Sequence, residues 1–232
     1  MNIGQFSCLP DDILAYIAGF LTVKEKIRLT LLDKQTANVL KIPHAWVGTL
    51  DLSEFKSRHV KRIVEIMPSK TFVTKLILGG MFQRLHVINF AEFIVKFPIV
   101  QQLNIGSSNQ ITNGYMKNIS SLPLQHLEMS YCNITNAGLA CLINMPLNHL
   151  NLKHCIRLTG AGFVHFAQMP LNVLDISDCP DLAEDNFSHI APLPLRKLTL
   201  GVGRITPEVT RRFPDLLKCS IIETGYGTSR TW

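Results

Sequence analysis

The residue types able to act as nucleophiles, bases or metal ligands are few in this chain of 232 residues, which holds six cysteines and eight histidines. Three of the cysteines, Cys132, Cys155 and Cys179, recur at steps of 23 and 24 residues. A zinc centre calls for ligands in close pairs such as C-x-x-C or H-x-x-x-H. A thiol repeated once per long period is instead a packing position. Two histidines share the period, His126 and His149. On adjacent parallel strands, about 4.8 Å apart, their rings would touch. With no third partner evident in the letters, they are expected to be solvated surface histidines rather than a catalytic or metal-binding pair. No P-loop, dinucleotide fingerprint, H-E-x-x-H or nucleophile–base arrangement occurs. No catalytic residue, metal or cofactor is therefore assigned, and a non-enzymatic role is expected.

The period belongs to a repeat that runs through most of the chain. LQHLEMSYCNIT (124–135), LNHLNLKHCIRLT (147–159), LNVLDISDCPDLA (171–183) and LRKLTLGVGRIT (195–206) align, with Leu127, Leu150, Leu174 and Leu198 at steps of 23, 24 and 24. Looser copies precede them at VQQLNIGSSNQIT (100–112) and VTKLILGG (73–80), with TLDLS (49–53) as a first strand and LKCSI (217–221) as a last. The alternation of Leu150 and Leu152 around Asn151 has the period of a strand with one buried face. The stretch after it, TGAGFVHFAQMP (159–170), begins at a candidate N-cap, Thr159, and stops at a proline, as a short helix would. One strand and one helix per ~20–29 residues is the leucine-rich repeat. Such a unit cannot bury its apolar side alone, so units stack. The expected fold is an α/β solenoid, a leucine-rich-repeat horseshoe with parallel strands on the concave side and helices on the convex side. The single cysteine per unit resembles the cysteine-containing class of these repeats, in which that position points inward.

Composition fits such a body: 47% hydrophobic and 17% charged residues argue for a packed core. The net charge of +6 raises a nucleic-acid or membrane reading. Apart from KSRHVKR (56–62), however, the basic residues are dispersed. That segment lies in EFKSRHVKRIVEIM (54–67), an amphipathic helix with Val60, Ile63, Val64 and Met67 on one face and Ser53 as its candidate cap. It is read as a repeat helix with a solvated basic face, and neither nucleic acid nor membrane is expected as a partner. The start, MNIGQFSCLP, lacks a basic stretch followed by an apolar one, so no secretory signal peptide is expected there. Reduced thiols and a cytoplasmic or nuclear setting follow. The tail GYGTSRTW (225–232) lacks helical periodicity and is expected either to be mobile or to fold back over the last strand.

Before the repeats stands LPDDILAYIAGFL (9–21), with no charged residue between Asp12 and Lys24. On a helix, Ile13, Ile17 and Phe20 form a stripe flanked by Leu14, Tyr16 and Leu21, and the other side carries Ala15, Ala18 and Gly19. Asp11 and Asp12 favour its N-terminal end. A second helix, TVKEKIRLTLLDK (22–34), opens with a Thr22–Glu25 capping box and groups Val23, Ile27, Thr30 and Leu31 on one face. A third, KQTANVL (34–40), follows. A repeat stack needs a cap with a polar outer face, and this segment is short of charge.

These residues resemble the F-box. Leu9, Pro10, Asp12, Ile13, Leu14, Ile17, Phe20 and Leu21 match the first part of that family's pattern, and Ile27, Arg28, Leu29, Leu31, Leu32 and Lys34 match the rest. Asp33 and Thr36 stand where the family often has Cys and Trp. Joined to cysteine-type repeats, the pattern is similar to the F-box/leucine-rich-repeat class, including bacterial effectors that mimic the eukaryotic family. The resemblance implies a small three-helix F-box domain over residues 1–45 and repeats over 46–232. It also implies docking to the Skp adaptor of a cullin–RING (SCF) ubiquitin ligase and presentation of a target protein on the repeats. The adaptor-binding residues would be Leu9, Pro10, Ile13, Leu14, Ile17, Phe20, Leu21, Ile27 and Leu31, in a chain expected to be monomeric alone. For an effector, the setting would be the host cytosol. Two other readings stay open: a ligase-independent scaffold whose N-terminal helices are only a cap, and recruitment by positive charge to nucleic acid.

The target is expected on the outward strand positions, which carry no packing duty. One column runs Gln102, His126, His149, Val173 and Lys197; the next Asn104, Glu128, Asn151, Asp175 and Thr199; the third Gly106, Ser130, Lys153, Ser177 and Gly201. Tyr131, His154 and Asp178 stand at the strand ends. The candidate target-binding residues are His126, Glu128, Tyr131, His149, Asn151, Lys153, His154, Asp175, Asp178 and Lys197.

Overall fold

A row of small residues on one side of a helix lets a backbone come close, and that governs how the chain begins. The computed structural model describes residues 9–29, 34–55, 57–80, 89–201, 204, 206–213, 221–225 and 228–231. The chain divides into two compact units, Met1–Gln102 and Leu103–Trp232. The first contains α1 (Asp11–Gly19), α2 (Val23–Leu29), α3 (Lys34–Val39), a 3-10 turn Pro43–Ala45, β1 (Val47–Asp51), α4 (Ser57–Ile66), β2 (Phe72–Ile77) and α5 (Phe90–Ile94). Ala15 and Ala18 of α1 are buried, and α1 packs on α3 and the 3-10 turn. A β-carbon on Gly19 would stand 2.9 Å from the carbonyl oxygen of His44, closer than side chains tolerate. The capping box of α2 is formed, Thr22 N–H donating to Glu25 Oε2 at 2.7 Å and Glu25 N–H to Thr22 Oγ1 at 3.3 Å. Behind these helices Trp46 is buried, its Nε1–H donating to Leu40 O at 2.7 Å. Lys26 is buried too, its ammonium 5.2 Å from the centre of the Trp46 ring.

β1 and β2 pair in parallel, with an irregularity at Gly48, whose φ of 73° a side chain would resist. Between them α4 buries Val60 and Ile63, with Met67 buried just beyond its end, which makes it a repeat helix as expected. The side chains of Arg58, Lys61 and Arg62 lie outside the described set. Ser53 does not cap α4; its hydroxyl donates to Asp51 Oδ1 at 2.7 Å, four residues before the helix begins.

The second unit repeats one plan. β3 (Gln102–Asn104, its first residue the last of the first unit), β4 (His126–Glu128), β5 (His149–Asn151), β6 (Val173–Asp175) and β7 (Lys197–Gly201) alternate with short helical segments, and β8 (Ile221–Gly225) is the last parallel strand. Pairs β4–β5, β5–β6, β6–β7 and β7–β8 are parallel, and Leu127, Leu150, Leu174, Leu198 and Ile221 are successive register partners. The four leucines are fully buried. β9 (Thr228–Thr231) pairs antiparallel with β8, so the tail folds back. Residues 217–220 of the expected last strand lie outside the described residues. The connecting segments are α6 (Asn113–Ile119), α7 (Asn136–Ala140), 3-10 turns Gly160–Phe166 and Glu184–His189, and α8 (Pro207–Arg212). Thus the expected helix in 159–170 is a 3-10 helix. Gly162 N–H donates three residues back to Thr159 O at 3.0 Å, and Gly160 N–H is taken by Asp181 O of the next repeat at 3.0 Å, so the segment opens with 3-10 spacing.

Three polar ladders link neighbouring repeats. The thiols of Cys132, Cys155 and Cys179 donate to the carbonyls of Ile105, Met129 and Leu152 in the preceding unit, at 3.5, 3.2 and 3.3 Å. Burial pushes these thiols up, to about 12 for Cys132 and about 11 for Cys179, so they stay neutral donors. Asn113 grips Thr135 through Nδ2 to Oγ1 at 2.8 Å and receives Thr135 N–H on Oδ1 at 3.0 Å. Asn136 does the same to Thr159, at 2.7 and 3.1 Å. Thr159 therefore spends its hydroxyl on the previous repeat and does not cap its own segment. Gly138 and Gly162 clear the way, because a β-carbon there would meet Asn113 and Asn136 at 2.6 Å. The third ladder is backbone: Ser107, Tyr131 and His154, all left-handed with φ near 58°, 59° and 55°, send their N–H to Ser130, Lys153 and Ser177 carbonyls at 2.7–2.8 Å. Asp178 is left-handed at the equivalent position, with φ 58°.

Two outcomes are expected. Asn136→Ala removes two bonds and orphans the Thr159 N–H, lowering stability by about 1–3 kcal/mol in chemical denaturation. Lys26 is held down to about 8, chiefly by burial. Its ammonium therefore costs the folded state stability below pH 8, and that cost fades as pH rises toward the unfolded lysine value. The stability advantage of Lys26→Met over the natural chain is expected to be largest near pH 7 and to shrink by pH 10, read by urea unfolding at each pH.

Candidate functional site

Two surfaces collect the residues singled out in the sequence. The first is the outer side of α1. With the alanine side turned inward, the large side chains point out: Ile13 is 49% exposed, Tyr16 60%, Ile17 38% and Phe20 76%. Tyr16 and Phe20 meet edge to face at 5.2 Å. Pro10 is exposed, while Leu9, Leu21 and Ile27 are half-buried. Leu14 departs from the expected set. It is buried within its own chain, because it lies one position round the helix from Ile13, on the inward side. Leu31, Leu32 and Asp33 lie outside the described residues, as does the Thr36 side chain. Tyr16 is the residue that the family pattern left out; its spacing of three from Ile13 and four from Phe20 was the available signal.

The second surface is the outward face of β4–β7. The register puts His126 opposite His149, then Val173 and Lys197, and Glu128 opposite Asn151, then Asp175 and Thr199, as the columns require. Tyr131, Asp178 and Lys197 are exposed, and the other candidate residues of this face are half-buried. Ser177 and Thr199 are buried, contrary to the expected solvated columns. The Ser177 N–H and hydroxyl both reach Asp175 Oδ1, at 2.9 and 2.7 Å, which draws the side chain into the turn. At the strand ends the Tyr131 and His154 rings lie 4.6 Å apart, and Lys153 pairs with Asp178 at 3.4 Å.

The two histidines are not separately solvated. Their rings stack with centres 3.7 Å apart and planes within 12°. Both Nε2 atoms lie against one carboxylate oxygen, Glu128 Oε1, at 3.1 Å from His126 and 3.2 Å from His149. Glu128 is thus the third partner that the letters did not reveal. Burial alone would raise its pKa. The bonds from His126 and His149, with the charge of His149 and a bond from Asn151, outweigh burial and hold it at about 2, so it is ionised throughout the physiological range.

The reason lies in side-chain length. Asn104, Asn151 and Asp175 occupy the same column, and each turns its Oδ1 back to the N–H two residues on, at 3.0, 2.9 and 2.9 Å. Glu128 is one methylene longer and reaches the histidines instead. A His-x-Glu pair on a strand places both side chains on one face, and the repeat supplies the second histidine.

Residues 120–142, the stretch that contains His126 and Glu128, match the family model described as Leucine Rich repeat. No curated protein sequence matches the chain. Among solved structures, the chain is similar to the leucine-rich repeat-containing protein LegL7 from Legionella pneumophila, with 16% identity, a TM-score of 0.48 and coverage of 99% of this chain and 84% of that one. It is also similar to a chain of the Rad7 and Elc1 complex in yeast, with 14% identity, a TM-score of 0.29 and coverage of 92% and 82%. The stretch that matches the leucine-rich repeat model, residues 120–142, carries β4 and α7, one copy of the strand-and-helix unit that recurs along the second compact unit.

Proposed function

We propose that the chain is the target-recognition subunit of a Skp–cullin–F-box ubiquitin ligase. The helices of residues 1–45 dock the Skp adaptor, and the repeats present a target protein. Leucine-rich repeats are protein-interaction scaffolds, and the outward strand positions described above are where such a scaffold offers side chains. The observation that carries the ligase reading is the apolar stripe of Ile13, Tyr16, Ile17 and Phe20, left in water by a helix that buries its small residues instead. An end cap has no use for four large apolar side chains on its outer face, whereas a helix that meets a partner does. Among the described residues no helix is long and apolar enough to cross a membrane, so a spanning role does not account for the stripe. The F-box resemblance of Leu9, Pro10, Ile13, Ile17 and Phe20 supplies the class of partner. Binding holds the target close to a ubiquitin-charged enzyme on other subunits, which raises effective concentration and leaves the bond chemistry to them.

The test is capture of the purified Skp adaptor by the full chain. Ile17→Ala combined with Phe20→Ala removes apolar area that contributes about 1.5–3 kcal/mol in total once partly buried. The expected result is adaptor affinity lower by roughly 10- to 100-fold, with circular dichroism unchanged because both side chains are exposed. Point variants are preferable to removing residues 1–45, since the first compact unit extends to Gln102. Failure of the natural chain to bind the adaptor, or undiminished binding by the double variant, would leave a ligase-independent scaffold.

A further inference from the structure

We propose that His126, Glu128 and His149 form a binding site for a single divalent transition-metal ion, with zinc the best chemical match. The donor set is two imidazoles and one carboxylate, a combination suited to zinc and its neighbours and unsuited to calcium or magnesium, which prefer oxygen throughout. The three donor atoms lie within 4.8 Å of one another, with the nitrogens 3.1 and 3.2 Å from the carboxylate oxygen. An ion with bonds of about 2.0–2.2 Å in tetrahedral array sets its ligands roughly 3.3–3.6 Å apart. Two of the three donor separations are therefore already close to ligand spacing, and the stacked imidazoles, with planes within 12°, need only turn for both lone pairs to converge on one ion.

The surroundings favour the same conclusion. All three ligands stand on adjacent parallel strands, β4 and β5, whose register is fixed by the buried Leu127 and Leu150 between them. Ligands on rigid strands lose little freedom on binding. Asn151, the register partner of Glu128 on β5, adds a polar neighbour beside the carboxylate. The side chains keep 33%, 23% and 27% of their surface in water, so an ion can enter and its remaining coordination positions face outward. On binding, each neutral imidazole carries its one proton on Nδ1 and turns the Nε2 lone pair to the ion; the Nε2–H···O bonds to Glu128 are exchanged for metal–ligand bonds. Cys132 and Cys155, the nearest repeat cysteines in sequence, are buried and spend their thiols on backbone carbonyls, so they do not compete. The site stands independently of adaptor docking.

The experiment is calorimetric titration of the metal-free full chain with zinc chloride at pH 7.5, with cobalt(II) absorption as a second readout. One ion per chain is expected, and His149→Ala and Glu128→Gln should each weaken it by about 100-fold or more, since even outer-shell changes cost 10- to 100-fold. His154→Ala, whose ring lies tilted against Tyr131 outside the cluster, should bind as the natural chain does. Cobalt should give visible bands without the near-ultraviolet charge-transfer band of a thiolate ligand. The absence of saturable one-to-one binding overturns the proposal. So does a cobalt–thiolate band, or unchanged affinity in the His149→Ala and Glu128→Gln variants, whose folding is checked by circular dichroism.

Discussion

Each repeat in the second unit has an apolar side that only its neighbour can cover, and the strand hydrogen bonds fix how that neighbour sits. Leu127, Leu150, Leu174 and Leu198 are both register partners and fully buried. A slip of one residue between strands would turn the whole leucine column outward, so the register is held by the core itself. The cysteine thiols and the Asn–Thr grips repeat the same pairing at the turn and at the start of the helical segment. Everything displayed on the outer face inherits this alignment. His126 meets His149 because two units of nearly equal length are stacked in register, and Glu128 joins them because it is one atom group too long to cap its own turn.

The small residues of α1 impose a similar constraint on the first unit. Ala15, Ala18 and Gly19 let the helix approach the His44 carbonyl and the adjoining turn closely, which commits the opposite side to solvent. The exposed stripe is therefore a consequence of where the backbone comes near, and Leu14, on the inward side, anchors the helix.

The repeat framework was legible in the letters because its signal is periodic: leucines every second residue, a cysteine every 23 or 24, and a proline after each helical segment. The capping box of Thr22 and Glu25 was equally plain, being local. What escaped was decided by neighbours in space. Thr159 serves the preceding repeat and not its own segment, because Asn136 sits across from it. Ser177 is buried by its bond to Asp175. The histidine pair was foreseen from its spacing, but its carboxylate was not, since that depends on Glu128 failing to do what Asn104, Asn151 and Asp175 do. On α1 the stripe was visible in the sequence, whereas the turning inward of Leu14, set by the close approach of Ala15 and Ala18, was not.

The left-handed residues at the strand exits carry a cost with a geometric return. Glycine would sit at Ser107, Tyr131, His154 and Asp178 without strain, yet side chains occupy all four positions at roughly 1–2 kcal/mol each, less for His and Asp. Their amides are tied to the next repeat at three of these positions, so the twist cannot relax without loosening the stack. The result is a comb along one edge of the sheet, with serine, tyrosine, imidazole and carboxylate teeth at a pitch of one strand. Because each tooth is rooted in a constrained main chain, any molecule that fits between them meets a surface already set to shape.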